Sequence, residues 1–152
     1  MLIEQQNKLK MHGIMLFPKK EDGCFSFAIA TYPQQNYQLE IDKLSKKINE
    51  DLKPVEGKET VYEEKDYIAF NTKSYFNIPI FDKSGNKIED PEEIGFGADV
   101  IVEMKLKEYN YRRKKGLTMY TTGILVLEFG EQIGATKESL LEGFEDELNL
   151  EF

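Results

Sequence analysis

A short basic and aromatic segment is the part of this sequence best suited to chemistry. It spans residues 109–116 and contains both arginines of the chain, with two lysines directly after them. Neighbouring cations neutralise phosphates and release the counterions of a polyanion, and aromatic rings stack on unpaired bases for about 1–3 kcal/mol each. The candidate nucleic-acid-binding residues here are Tyr109, Tyr111, Arg112, Arg113, Lys114, Lys115 and Tyr120.

Two shorter segments repeat the grouping of cations with rings. Residues 17–20 combine a phenylalanine with two lysines, and residues 73–76 contain Lys73 and Tyr75. We take Lys73 and Tyr75 as candidates that extend the binding track on an adjacent strand. The alternative interpretation of residues 109–116 is structural, because solvated turns are often rich in lysine and tyrosines form packing pairs across strands.

The C-terminal segment carries most of the net charge. Residues 138–152 contain six carboxylates and neither lysine nor arginine, whereas the rest of the chain has 22 acids against 20 bases. An acidic block beside a nearly neutral body is typical of an interaction tail or of a solubilising end. The terminal phenylalanine favours an interaction tail, because a hydrophobic anchor is poor solubilising chemistry. The candidate partner-binding residues are Phe144, Glu145, Asp146, Glu147, Glu151 and Phe152.

Residue types that common catalytic sites require are scarce. His12 is the one histidine, so no histidine cluster or relay can form, and Cys24 has no partner for an internal disulfide. Asp82, Ser84 and Asn86 surround a glycine but lack the spacing of a calcium loop, and a turn is the simpler interpretation. The sequence therefore predicts a binding protein and not an enzyme, with no metal and no cofactor.

Length and hydropathy indicate one domain in the cytoplasm. A chain of 152 residues lies in the usual single-domain range, and its longest apolar runs, such as residues 124–127, are far shorter than the roughly 20 residues of a membrane span. We therefore expect no membrane association and a cytoplasmic location, which for a viral protein is the host cytoplasm. The predicted parts are a loose polar arm at 1–10, a nucleic-acid-binding domain at 11–135 and the acidic tail at 136–152.

Hydrophobic periodicity predicts a hairpin and one helix in the first half of the chain. Two strand-like runs, 12–17 and 24–31, flank a turn at 18–23 that contains proline and glycine. Between residues 36 and 52, apolar residues recur at spacings of three and four, which is the pattern of an amphipathic helix packed on a sheet. The polar run 56–66 is predicted to be a loop.

The clearest β-pattern lies in the second half. Apolar residues at 100, 102, 104 and 106 alternate with mostly polar ones, which predicts a strand with one buried face. A second strand follows over 117–129, and Gly123 interrupts it as a bulge or sharp bend does. Several short strands, one helix and glycine-marked bends favour a mainly β fold built as a small closed or partly closed barrel.

The order of these features resembles one protein family. Residues 12–18 lead into a second strand, a helix follows, a turn lies at 84–86, and residues 95–100 run into the hairpin at 111–117. This arrangement, with an acidic tail that ends in phenylalanine, resembles the bacteriophage single-stranded DNA-binding proteins related to the T7 gene 2.5 protein. The resemblance covers most of the chain. The chain departs from the family in a body that is not net basic and in tail acids interspersed with leucine and phenylalanine.

The resemblance implies both a fold and a function. It implies a five-stranded OB-fold-like barrel with one amphipathic helix, which binds single-stranded DNA in phage DNA replication or recombination. It also implies that the acidic tail recruits replication or recombination proteins and competes with DNA for the barrel. Stacking on rings predicts weak sequence preference, because every base has a π-face. A tail held by a neighbouring copy would give a domain-swapped homodimer.

Two other classes of protein fit the same residues. An acidic adaptor or structural β-domain would use the aromatic residues for protein contacts or core packing and would not bind nucleic acid. A small RNA-binding barrel would bind nucleic acid but prefer ribose, because only contact with the 2′-hydroxyl separates the two polymers. Titration with oligo-dT, oligo-U and duplex DNA distinguishes these classes.

Overall fold

The described part of the chain forms seven strands of one sheet, and buried side chains alternate with more exposed ones along the three longest strands. The computed structural model of the chain describes residues 7–75 and 77–131. The strands are β1 (Lys8–Glu21), β2 (Cys24–Thr31), β3 (Lys58–Tyr62), β4 (Lys65–Ser74), β5 (Ile80–Asp82), β6 (Asp99–Tyr111) and β7 (Lys114–Glu128). One α-helix, α1 (Tyr37–Asn49), lies between β2 and β3.

Five of the strands close into a barrel. β1 pairs with β2 and β6, β2 pairs with β4, and β6 pairs with β7, all antiparallel. A parallel pairing of Lys73 on β4 with Tyr120 on β7 closes the ring. β3 extends the sheet beside β4, and β5 extends it beside β7. The predicted mainly β fold, an OB-fold-like five-stranded barrel with one helix, is therefore confirmed.

Inward-facing residues of the barrel strands form the core. The four alternating apolar residues predicted on β6 are all fully buried: Val100, Val102, Met104 and Leu106. Their neighbours across the barrel include Phe27 and Ile29 on β2, Phe70 on β4 and Met119 on β7. The same alternation places the intervening residues of each strand on the outer face, where the candidate site lies.

A buried polar pair fixes the closing seam between β4 and β7. Thr72 Oγ1 lies 2.8 Å from Thr121 Oγ1 and 3.1 Å from the Met119 carbonyl oxygen. Thr72 can donate to that carbonyl while it accepts from Thr121, so both buried hydroxyls have partners. The seam therefore sets the register of Lys73, the next residue on β4, against Tyr120 on β7.

Three register shifts bend the longest strands, one of them at the start of β6 between Asp99 and Val100. The register between β6 and β7 shifts after Glu103, which pairs with Gly123, so the bend predicted at that glycine is confirmed. The register between β1 and β2 shifts between Leu16 and Lys19. A bulge of this kind bends its strand and increases the local twist, which a small closed barrel requires.

The amphipathic helix predicted at 36–52 is confirmed as α1. Ile41 is fully buried, and Leu44 and Ile48 pack against the barrel core. The helix ends at Asn49, whose carbonyl oxygen accepts from the Leu52 N–H in the turn that follows. Across residues 7–75 and 77–131, no helix is long and apolar enough to cross a membrane.

The loop predicted at 56–66 is wrong. Most of this segment forms β3 and its tight turn into β4, which begins at Lys65. β3 is an edge strand, paired on one side only, and its one strongly apolar aliphatic residue, Val61, is exposed. An edge strand of this kind lacks the buried alternation on which sequence prediction depends.

The predicted arm at 1–10 and the predicted turn at 18–23 are both too long. β1 begins at Lys8, because Leu9 is buried in the core and pairs with Met104 on β6. At its other end β1 continues to Glu21, and the hairpin turn shrinks to Asp22 and Gly23. The predicted hairpin itself is confirmed, since β1 and β2 pair on both sides of the register shift.

Candidate nucleic-acid interface

Three of the predicted site residues meet on the outer face of the barrel. Lys73 on β4 and Tyr120 on β7 form the pair that closes the ring, and Tyr75 follows β4 directly. The Tyr75 and Tyr120 ring centroids are 6.0 Å apart, and Lys73 Nζ lies 5.2 Å from the first and 5.9 Å from the second. These distances are those of cation–π contacts, so the ammonium is held between two rings. We call these three residues the Lys73 cluster.

The Lys73 cluster keeps its positive charge in a partly buried position. A hydrogen bond with Tyr75 raises the pKa of Lys73, and partial burial opposes that effect. Nearby Tyr75 and Tyr120 add smaller contributions in the raising direction. Lys73 is therefore fully protonated at neutral pH and presents a fixed cation beside two aromatic faces.

A groove adjoins the Lys73 cluster and adds two cations. It has a volume of about 490 Å³, and its lining includes Tyr75, Tyr120, Lys105, Lys107, one acidic residue, Glu108, and the apolar residues Ile78 and Pro79. Register explains the grouping, because Lys105 on β6 pairs with Tyr120 on β7. We call this space the tyrosine groove. Its aromatic and aliphatic walls suit flat apolar rings, and its lysines suit phosphates.

Strand register extends the cations into a row around the barrel. From β1 through β6, β7 and β4 to β2 and back to β1, successive paired residues are Lys8, Lys105, Tyr120, Lys73, Ser26 and Lys19. Four of these six are lysines, and Tyr120 and Lys73 belong to the Lys73 cluster. Lys19 also forms a surface ion pair with Glu21, at 2.9 Å. A DNA backbone that crosses the strands at this level would therefore meet a lysine at most of its steps.

The β6–β7 hairpin carries the other predicted residues away from the barrel. Its two-residue turn consists of Arg112 and Arg113, with φ of +49° and +67°. Both residues are in the left-handed region, which is the type I′ pattern that matches the twist of a hairpin. The Arg112 guanidinium lies 5.1 Å from the centroid of the Tyr111 ring. The turn therefore places two cations at the tip with an aromatic ring beside them.

Alternation places most of the hairpin residues on the face that continues from the tyrosine groove. Tyr109 and Tyr111 follow Lys107 at intervals of two on β6, and Lys114 pairs with Tyr111 on β7. The Tyr109 ring lies across Gly116, where a Cβ atom would come within 2.5 Å of the phenol oxygen. Tyr109 is 41% exposed and Tyr111 is 66% exposed.

The hairpin tip and the Lys73 cluster are two separate parts of the candidate surface. Six residues of β6 separate the level of Tyr120 from Tyr111, a distance of about 20 Å at the usual strand rise. Arg112 and Arg113 therefore do not contact the Lys73 cluster. Lys115 pairs with Asn110 and lies on the opposite face of the hairpin from Tyr109.

Lys105 and Lys107 are the residues that sequence reasoning missed at this surface. The sequence identified them only as the polar half of the alternation on β6. The available signal was their phase, because they lie at intervals of two from the candidate residues Tyr109 and Tyr111. Their position beside Tyr75 depends on the closure of the barrel, which no local pattern contains.

The remaining predictions concern the acidic tail, the turn around Gly85 and metal binding. The tail candidates Phe144, Glu145, Asp146, Glu147, Glu151 and Phe152 lie outside the described residues. Asp82 Oδ1 accepts from the backbone N–H groups of Ser84 and Asn86, so this segment is the predicted turn. In the described part of the chain, no three His, Cys, Asp or Glu side chains are grouped to hold a metal ion.

The barrel defines the fold class of the chain, and solved structures of the same class exist. Gp2.5, a single-stranded DNA-binding protein encoded by bacteriophage T7, superposes with a TM-score of 0.61 at 16% identity, over 91% of this chain and 95% of that one. The single-stranded DNA-binding protein of bacteriophage Enc34 gives a TM-score of 0.68 at 12% identity, over 88% and 87%. Its complex with single-stranded DNA gives 0.66 at 14% identity, over 86% and 91%.

These likenesses confirm, at the level of the fold, the resemblance to phage single-stranded DNA-binding proteins. They cover nearly the whole of each chain, so the OB-fold-like body is shared and not a fragment of it. No protein-family model matches the sequence, and no curated protein matches it significantly. The residues of the site are therefore interpreted from their own geometry.

Proposed function

We propose that this chain is a non-enzymatic single-stranded DNA-binding protein of phage DNA replication or recombination, acting in the host cytoplasm. The observation that carries the proposal is the Lys73 cluster, with its two rings and one ammonium beside a groove that holds two more lysines. Rings bind base faces, and lysines neutralise the phosphates that join the bases. The raised pKa of Lys73 keeps its ammonium protonated, so the amine is not available as a nucleophile.

The position of the site on the barrel supports the proposal. OB-folds bind oligonucleotides on the face of their second and third strands and on the loops that follow the first and the fourth. In barrel order, β4 is the third strand and the β6–β7 turn is the loop after the fourth. The Lys73 cluster and the turn at Arg112 and Arg113 therefore correspond to two of the positions that OB-folds use for nucleic acid.

Unpaired DNA suits this surface better than duplex does. Tyr75, Tyr109 and Tyr111 are each more than one-third exposed and can meet bases face to face, which a duplex prevents because its bases are already stacked. Stacking of this kind accepts every base, so we expect weak sequence preference. The structures similar in fold include one in complex with single-stranded DNA, which supports the same class of ligand.

Intrinsic tyrosine fluorescence provides the test, because the chain has eight tyrosines and no tryptophan. We expect oligo-dT to quench the fluorescence with an affinity that falls as salt rises, and duplex DNA of equal length to bind much more weakly. Equal affinity for duplex would contradict the proposal. Preference for oligo-U would support the RNA-binding alternative, and no binding at low salt would support the adaptor or structural alternative.

We also propose that the acidic tail competes with DNA for the barrel and binds partner proteins. A tail tethered to the barrel acts at an effective concentration in the millimolar range, provided the segment after Gly130 reaches the site. Its carboxylates would approach Arg112 and Lys114, and Phe144 and Phe152 would take base positions. Exchange of tails between two copies would produce the domain-swapped homodimer.

Truncation after Lys137 tests the tail. We expect tighter binding to oligo-dT, with the gain largest at low salt, because screening shortens the reach of charge. We also expect loss of the replication or recombination proteins that the full chain captures, and loss of any dimer in sedimentation. A full-length control with Glu145→Gln, Asp146→Asn and Glu147→Gln should show part of the gain in affinity. Unchanged affinity in both variants would make the tail a structural element instead.

A further inference from the structure

The bulge in β1 turns one aromatic ring out of the barrel. Leu16 is buried in the outer-face cluster that packs beside Ala28 and Ala30, but Phe17, the next residue, is 67% exposed. Phe17 has a φ of +53°, in the left-handed region, which is rare for a bulky residue. The strand resumes regular pairing with β2 only at Lys19. The backbone of Phe17 is therefore held in an unfavourable conformation, and this conformation exposes the ring.

The exposed ring is supported by other rings on its inner edge. Phe17 packs edge-on against Phe96, with centroids 5.6 Å apart, and Phe96 packs edge-on against Tyr62 at the same distance. Tyr62 contacts Tyr67, which is buried. Phe17 is thus the exposed end of a chain of packed rings. A ring that is already held in place loses little conformational entropy when a flat ligand stacks on it.

A second groove lies between Phe17 and the Lys73 cluster. It has a volume of about 310 Å³, and its lining includes Phe17, Ser26, Ala28, Asn71 and Lys73. Register explains its shape, because the small residues Ala28 and Ser26 on β2 pair with Asn71 and Lys73 on β4. Small side chains leave space between an aromatic wall and a cation. We call this space the Phe17 groove.

We propose that the Phe17 groove binds a second base of the DNA strand, with the face of the base on the Phe17 ring. The Asn71 amide supplies a donor and an acceptor to the base edge. Lys73 lines the groove and also belongs to the Lys73 cluster, so it neutralises the phosphate between this base and the one stacked on Tyr75 and Tyr120. The inference rests on the proposed single-stranded DNA binding and adds a position to it.

The spacing of the two positions suits a polynucleotide. Phe17 on β1 and Tyr120 on β7 are separated by three strand spacings, through β2 and β4, or about 14 Å. That distance leaves space for consecutive nucleotides in an extended strand. The DNA would cross the strands along the row of lysines, in the direction that strand pairing already defines.

Phe17→Leu in the full chain tests the proposal. Leucine keeps an apolar side chain at an exposed position and removes the aromatic face, so the melting temperature should fall only slightly, through loss of the ring contact with Phe96. We expect the affinity for oligo-dT to fall about 10-fold, the equivalent of one lost stack. Phe129→Leu is the matched control, because Phe129 is also exposed and lines neither groove. The control should bind as the wild type does.

Photocrosslinking of the wild type gives an independent readout. An oligo-dT that contains 5-iododeoxyuridine should crosslink to Phe17 as well as to Tyr75 or Tyr120, with the sites assigned by mass spectrometry. Wild-type affinity in Phe17→Leu, with crosslinks confined to the Lys73 cluster, would overturn the second position and favour a protein contact for Phe17. That outcome leaves single-stranded DNA binding intact, whereas failure of the wild type to bind oligo-dT would reject the proposed function itself.

Discussion

The β3–β4 and β6–β7 hairpins use the same turn and carry opposite charges. Each has a two-residue turn with both φ values positive, at +49° and +65° for Glu63 and Glu64 and at +49° and +67° for Arg112 and Arg113. Type I′ turns favour asparagine and glycine, yet neither of these turns contains either residue. Strand pairing on both sides therefore imposes the backbone conformation of each turn. The charges of the turn residues are not needed for that conformation and can have another role.

The tyrosines beside the two turns differ in the same way. Next to the acidic turn, Tyr67 is 5% exposed and packs with Tyr32 and Tyr62. Next to the basic turn, Tyr111 is largely exposed and Tyr109 is partly exposed. In one hairpin the rings stabilise the sheet, and in the other they are available to a ligand. Of these two hairpins, the β6–β7 hairpin is the one that combines cations with exposed rings, which supports its role in binding nucleic acid.

Neutralising the basic turn should have the largest effect on binding. Changing Arg112, Arg113, Lys114 and Lys115 to alanine should weaken oligo-dT binding at low salt on the order of 100-fold. It should also lower the slope of log affinity against log salt by up to about 2.1, at roughly 0.7 for each phosphate contact of Arg112, Arg113 and Lys114, because Lys115 lies on the opposite face of the hairpin. Glu63→Ala with Glu64→Ala is the control in the matched turn. An unchanged slope in the first variant would remove the hairpin from the interface.

Replacing one tyrosine in each hairpin distinguishes the structural role of the β3–β4 hairpin from the binding role of the β6–β7 hairpin. Tyr67→Ala should lower the free energy of unfolding by about 3 kcal/mol, because it leaves a cavity among packed rings. Tyr111→Leu should keep that free energy and lose about 1–3 kcal/mol of binding, since Tyr111 is exposed and only its stacking is removed. Denaturant unfolding and oligo-dT titration of both variants measure the contrast. A large loss of stability in Tyr111→Leu would identify its ring as core.

The sequence predicted those parts of the fold in which burial of one face gives the apolar residues a regular spacing. Alternation on β6 and the stripe on α1 are clear because one face of each is in the core, as Val102 and Ile41 illustrate. β3 has no such regular spacing of apolar residues, because it lies at the edge of the sheet and exposes Val61. Edge strands contribute pairing without much burial, so their residues remain close to those of a polar loop.

The candidate site was predictable in its residue types but not in its grouping. Tyr75 and Tyr120 are 45 positions apart, and they meet because β4 and β7 pair at Lys73. Lys105 enters the same groove through antiparallel register with Tyr120. Period and composition report which face a residue occupies, whereas long-range register decides which faces adjoin.

Giving both turns their preferred residues separates backbone geometry from charge. Glu63→Asn with Glu64→Gly, and Arg112→Asn with Arg113→Gly, should each raise the free energy of unfolding by about 1 kcal/mol, because asparagine and glycine adopt positive φ at lower cost. Only the second pair should weaken oligo-dT binding, with a fall in the salt slope of about 1.4. Equal loss of binding in both variants would attribute the effect to the backbone and contradict a role for the arginine charges.

The smallest expected effect concerns the acidic hairpin at alkaline pH. Burial raises the pKa of Tyr67 above its ordinary value near 10, and the phenol of Tyr32 and the carboxylate of Glu63 add to the effect. Burial also raises the pKa of Tyr62, with Glu63 as the next cause. The folded state therefore holds these protons more tightly than the unfolded state does.

The sign of the pH effect follows from that difference. Below pH 10 both states are protonated at Tyr67, and its contribution to stability is fully present. As the pH rises through the raised pKa, ionisation of the unfolded chain comes first and the contribution is lost. Tyr67→Phe has no proton to lose, so the free-energy difference between wild type and variant should be flat from pH 6 to 9 and then shift against the wild type. Urea unfolding at each pH measures that difference. A curve that stays flat to pH 11 would mean that the Tyr67 phenol is as free to ionise in the folded chain as in the unfolded one, and that packing against Tyr32 and Tyr62 does not distinguish this hairpin from the basic one.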